Sequence, residues 1–247
     1  MTPPLELHHA SPRNGDPARP DSQPMPMIRR LRQLQPQRPL TIDEAISIAE
    51  RQAYRLLQVL GITRAPIPEE AITGLSRVAI RRDPQLPSVG FVHWHHDTWL
   101  IHINSQDHPY QQRLTIAHEF KHIIDRLDQP TAAYLAHQDR PLHHLEERFA
   151  DYFARCVYLP KPLLLRYYTA GIQDPTTLAE HFEVPEPIVR LRLRELGLID
   201  HEPPQPANRT RLWKRRDRLS VSDICAFHFE DSARQWRSAP ITNRERR

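Results

Sequence analysis

His118-Glu119-Phe120-Lys121-His122 sets two imidazoles four residues apart with a carboxylate between them. On an α-helix that spacing turns the second ring by only about 40° and lifts it by about 6 Å, so both rings can face one metal ion from consecutive turns. The intervening glutamate then reaches a water held by that ion and can take its proton, which is the chemistry of a hydrolase. The chain has 15 histidines, so the pentapeptide by itself is not decisive. Its surroundings decide.

A hydrolytic zinc site uses three protein ligands and keeps a fourth position open. A second helical stretch offers the third, because Glu147-Arg148-Phe149-Ala150-Asp151 puts two carboxylates four apart on one face. Ala150 and Ala154 share that face and leave room for a close helix–helix approach. On this reading His118, His122 and Glu147 bind one Zn2+ per chain, and Asp151 orients a ligating imidazole by hydrogen bond. Glu119 is the general base that later hands its proton to the leaving amine. Glu146 is the alternative ligand, turned about 100° away by its earlier place on the helix. Two blander readings stand beside this one: a solvated amphipathic helix facing a solvated acidic one, and a metal site without catalysis. Tyr134, His137, His143, His144 and Tyr158 are the candidates for the group that steadies the oxyanion, and none stands out.

The elements that would hold these residues follow from capping and periodicity. Thr41-Ile42-Asp43-Glu44 is a capping box, followed by a helical apolar stripe from Ile42 to Leu60 and a glycine stop at Gly61. A short helix is expected from the Pro66–Glu70 segment to about residue 75. Three β segments then cover about 78–82, 90–95 and 98–104, the last two joined by His96-Asp97 as a hairpin. The metal-binding helix is expected over about 110–127, with Ile116, Phe120, Ile123 and Leu127 as its apolar back. The second helix runs over about 142–158 and ends before Pro160, and a final helical group spans about 176–198. Helices around a small sheet make an α+β plan with one modest core.

Several stretches resemble the ImmA/IrrE family of zinc metallopeptidases. They are Leu60-Gly61-Ile62, Ala65-Pro66-Ile67-Pro68, Ile101-His102-Ile103-Asn104, the run from Gln112 to Glu119, and Glu147-x-x-Ala150-Asp151-x-Phe153-Ala154 leading to Leu159-Pro160. The likeness covers about residues 41–199. It implies a gluzincin-like core and a cytoplasmic endopeptidase that cuts a helix-turn-helix transcriptional repressor, in mobile-element induction or a stress response. Carried over by motif, it implies His118, His122 and Glu147 as ligands and Glu119 as base. Lys121 stands where the family usually has glycine. The segment after residue 200 does not look like the sensor domain of the radiation-response members.

The rest of the chain bounds the reading. Residues 1–40 carry nine prolines and no sustained apolar period, and are expected to form a disordered tail. The expected division is then a peptidase core over 41–165, a helix-turn-helix-like subdomain over 166–200, and a tail over 201–247. That tail holds eleven Lys and Arg against six Asp and Glu, so it carries the basic balance and could touch phosphates or an acidic partner. No run approaches the roughly 18 apolar residues of a membrane span, and two cysteines give no disulfide framework. Between Thr177 and Leu191 the pattern suits two helices about a turn at Glu183. Leu178, Ala179, Phe182, Val184, Ile188 and Val189 would face inward, and Arg190, Arg192 and Arg194 outward as contacts to DNA or substrate. His93, His95, His96 and His102 crowd the hairpin, as a second metal site or as polar positions of a half-exposed sheet. The competing functional class is a DNA-binding regulator whose metal is structural.

Overall fold

The computed structural model describes residues 26–36, 38–126 and 142–200. The tail expected over 201–247, most of that expected over 1–40, and Leu127, Tyr134 and His137 lie outside the described residues, as does the side chain of His143.

Helix α2 (Ile42–Val59) begins as the capping box dictates. The Thr41 side chain accepts from the Glu44 N–H at 3.2 Å, and the Glu44 carboxylate accepts from the Thr41 N–H at 2.9 Å. It ends at Gly61, whose φ of 66° lets the Ile62 N–H reach back to the Leu57 carbonyl. A one-turn helix α3 (Glu70–Thr73) leads into a sheet of β1 (Val78–Asp83), β2 (Gly90–His95) and β3 (Thr98–Asn104). The strand order is β1-β3-β2, with β3 parallel to β1 and antiparallel to β2. His96 and Asp97 both take positive φ, the two-residue turn that matches strand twist. Helix α4 (Pro109–Asp125) and helix α5 (Leu142–Tyr158) follow, then α6 (Lys161–Thr169), α7 (Pro175–Phe182) and α8 (Glu186–Glu195). The architecture is α+β, as the periodicity indicated.

Three expectations are corrected here. Residues 27–32, placed in the disordered tail, form helix α1 (Met27–Arg32). Its Leu31 is fully buried, and its Arg32 donates to the carbonyls of Ile123, Ile124 and Arg126 at 2.8, 3.0 and 2.7 Å. A cation on the last carbonyls of a helix satisfies acceptors that have no partner within the helix, so α1 is a clasp on the end of α4. Its six residues are too few to show a period, which is why the sequence pattern hid it. Second, residue 165 is no boundary. It falls inside α6, and Leu178, Phe182, Val189 and Leu193 belong to the same buried cluster as Phe120 and Phe153. The last helices are part of one core. Third, α4 is not amphipathic in place. Arg113 through Lys121 are all buried, because the sheet, α1 and α5 close round it.

Candidate metal centre

Helices α4 and α5 meet along their small-residue faces: Ala117 and Ala150 are fully buried and Ala154 nearly so. That close approach brings Glu147 against the two histidines. Glu147 Oε1 lies 3.2 Å from His122 Nε2 and Glu147 Oε2 lies 3.6 Å from His118 Nε2, while the two Nε2 atoms are 3.1 Å apart. One ligand atom from each residue lies within 4.8 Å of the others, a set that could hold a metal ion, and no other such group occurs among the described residues. Glu146 is not in it. Neither are the histidines of the hairpin, where His102 is buried rather than half-exposed.

Asp151 sits one turn beyond Glu147 and reaches the His118 ring. Its Oδ1 accepts from His118 Nδ1–H at 2.7 Å, which fixes the tautomer and leaves Nε2 turned toward the site. Burial works against an imidazolium at His118, but its hydrogen bonds with Asp151 and Glu147 outweigh that and push it up to about 10. For Glu147 burial favours the neutral acid, yet the two histidines hold its carboxyl well below the ordinary carboxylate range. The same carboxylates, gathered at one largely buried pocket, favour a cation there.

Glu119 completes the fit. It is 4% exposed, and its Oε2 is buried with no hydrogen-bond partner among the described residues. A buried carboxylate oxygen left without a donor is costly unless a ligand supplies one. Two imidazole nitrogens, one carboxylate and a second carboxylate lacking a donor suit a divalent ion that carries water.

Strand β2 passes directly over this helix. A Cβ on Gly90 would lie 2.5 Å from Thr115 Cγ2, 3.0 Å from the His102 carbonyl oxygen and 3.4 Å from Glu119 Cγ, so only glycine lets the strand come this near. Nothing in the local sequence marked Gly90 as part of the site; its partner Glu119 lies 29 residues on. Lys121 points away from the centre and pairs with Asp125, which also accepts from Gln35 at 3.0 Å. Of the oxyanion candidates, Tyr158 is excluded: it is 1% exposed and packed under the Arg113 guanidinium, 4.8 Å from its ring centroid. His144 is exposed and one turn before Glu147.

Residues 77–194 match the family model described as Peptidase M78, IrrE N-terminal-like domain. The likeness to that family covers just under half of the chain. The match contains the whole of the α4–α5 centre and the sheet above it. A solved Mycobacterium tuberculosis transcriptional regulator is similar at 22% identity, over 69% of this chain and 52% of its own, with a TM-score of 0.45. The present chain thus spans about half the length of that protein. No curated protein sequence matches. No described helix is long and apolar enough to cross a membrane.

The outward row of arginines expected at the end of the M78 stretch is a correction. Arg192 is 1% exposed and faces inward. It donates to Glu50 at 2.7 Å, Tyr152 Oη at 3.2 Å, Glu195 at 3.2 Å and the Leu159 carbonyl at 3.3 Å. Arg190 is part-exposed and paired with Glu186 at 2.6 Å. The six inward residues of α7, the turn and α8 are buried as expected, and Glu183 takes the left-handed conformation at the turn, where it pairs with Arg113 of α4.

Proposed function

We propose that the chain is a zinc-dependent endopeptidase acting in the cytoplasm on a protein, specifically a helix-turn-helix transcriptional repressor. The observation that carries the reading is Glu119 Oε2, buried without a donor among the described residues beside a His118–His122–Glu147 set, within the stretch that matches the M78 model. A structural metal site would have no use for that carboxylate.

His118 and His122 through Nε2, and Glu147 through a carboxylate oxygen, are the residues that would hold the ion, with Asp151 fixing the His118 ring. Zinc, when bound there, supplies a Lewis acid for the scissile carbonyl and makes water a nucleophile near neutral pH. The remaining steps belong to the protein. Glu119 accepts the proton of the attacking water on Oε2 and delivers it to the leaving nitrogen. The fold around α4 keeps Glu119 out of bulk water, so Oε2 can meet the proton of a water placed beside it without competition from solvent. The edge of β2, brought to Glu119 by Gly90, offers backbone partners to an extended substrate segment. A repressor would be cut in an accessible linker, since a packed helix cannot lie extended along a strand.

Co-expression with candidate repressors, read by fragment size, tests the reading directly. Glu119→Gln should keep fold and metal and lose about 10²–10⁴-fold in cleavage rate, because an amide cannot accept the proton. A variant that cleaves as fast as the parent would remove Glu119 from the mechanism. A parent that cleaves no repressor would remove the proposed substrate.

A further inference from the structure

Among the described residues Trp94 is the one large hydrophobic side chain of the sheet that is plainly exposed, at 45%. Its place is unusual. Strand β2 is an edge of the sheet, and edges are normally blunted with charge rather than furnished with indole. The His96-Asp97 turn makes His95 and Thr98 a hydrogen-bonded pair, so by alternation the N–H and C=O of Val92 and Trp94 point away from β3, toward the open edge. Trp99 agrees, since its N–H donates in the other direction, to Arg77 at 2.8 Å. Period-two geometry puts the Trp94 side chain on the same face as Gly90, the face turned toward α4. There it meets Trp99 edge to face at 5.0 Å, and the Arg126 guanidinium lies 5.5 Å from the Trp99 ring centroid at the end of α4.

Strand and helix therefore run side by side in the same direction. Gly90 is level with Glu119, and Trp94 with its partner Trp99 is level with Arg126, one turn past His122. The distance from Gly90 to Trp94 is about 13 Å of strand. A chain paired with this edge and cut beside Glu119 lays a side chain over the indoles three to five residues from the cut.

We propose that Trp94 and Trp99 form a specificity subsite that takes a large apolar side chain, aromatic or leucine-like, at that remove from the scissile bond. Arg126 beside the pair disfavours a basic residue there. The inference rests on the peptidase reading and goes beyond it by naming a feature of the substrate. Zinc-loaded full-length protein incubated with a random-sequence synthetic peptide library, with the cut sites sequenced, gives the preference. One position three to five residues from the cut should be enriched in Phe, Tyr, Trp or Leu. Trp94→Ala should flatten that enrichment and lower kcat/KM for an enriched peptide about 10–100-fold, mainly through KM, with Trp94→Phe recovering much of it. Binding provides a readout apart from turnover: fluorescence anisotropy of the labelled peptide on Glu119→Gln protein should weaken by a similar factor when Trp94→Ala is added. Loss of the edge-to-face couplet in circular dichroism with metal content unchanged shows that the variant has lost the indole and not the fold. Cleavage with no such preference, or a preference that survives Trp94→Ala, overturns the subsite and leaves the peptidase standing. A library that is not cut at all overturns the peptidase reading and the subsite with it.

Discussion

Helices α4 and α8 both carry charged side chains out of water, and they do so under different rules. On α4 the buried polar groups recur at the helical period and converge with a carboxylate from α5. On α8 a single arginine is buried against Glu50, 142 residues earlier in the chain. A metal centre constrains both residue type and spacing, because donor atoms must come within a few ångströms of one point. A structural ion pair constrains neither. Any of the 34 basic and 30 acidic residues can serve, and the fold alone selects which. Chemistry is therefore readable on α4, whereas on α8 the same alphabet misleads: Arg192 looks like one tooth of an outward row and is a bolt into α2.

The largest effect is expected at Glu147. Its replacement by Ala removes one of three donors, and metal affinity should fall by more than the roughly 10–100-fold typical of losing an outer partner. Glu146→Ala, one residue earlier and about 100° round the helix, should retain about one equivalent of zinc. Metal analysis after dialysis reads both. Retention in the first variant and loss in the second would reassign the ligand and undo the claim that helical spacing made the site legible.

Arg192→Ala and Arg190→Ala test the other half. The first leaves Glu50, Tyr152 and a buried carbonyl without their donor and should cost about 2–3 kcal/mol, less than a fully interior pair because Glu50 keeps contact with water. The second removes an i,i+4 pair on a part-exposed face and should cost less than about 0.5 kcal/mol. Urea denaturation gives both values. Equal costs would mean that Arg192 is no more structural than its neighbour. A consequence for any DNA-binding assay is that Arg192 must be left alone, since its loss would mimic loss of affinity by unfolding the helix that carries it.

What could be read from residues alone follows the same division. The capping box at Thr41, the hairpin turn at His96-Asp97 and the α+β order are local patterns, and the structure shows them where expected. The contact between Asp151 and His118 was readable because Asp151 shares the face of Glu147. Helix α1 was not, because six residues among prolines carry no period and are held by Arg32 on the far end of α4. The unity of the core was not either. The link from Arg113 to the turn at Glu183 ties the helix of the candidate metal centre to α7 and α8 across 70 residues, with no signal in either segment.

His102 is a third case, a buried polar group outside the candidate metal set and with no ion-pair partner among the described residues, and it should show in the pH dependence of stability. It lies on the central strand at 8% exposure, stacked 4.3 Å from Phe91 and 5.1 Å from His93, and its Nε2 has no hydrogen-bond partner among the described residues. Burial pushes it down to about 4; His93 and Arg81 push the same way, and Asp83 opposes them. In the unfolded chain an imidazole titrates near 6.5, so between roughly 6.5 and 4 the unfolded state binds the proton and the folded state resists it. Its contribution is complete above about pH 6.5 and is lost as the pH falls toward 4. The loss should be on the order of 1–2 kcal/mol. His102→Phe keeps a ring for the Phe91 stack and removes the proton. The two proteins share every other titrating group, so the difference between their stability curves isolates this one. The variant should be less sensitive to acid than the parent in that window and parallel to it above. Curves parallel throughout would mean that His102 can be charged in place, and that an unpartnered nitrogen in this sheet is less confined than the two helices' charges are.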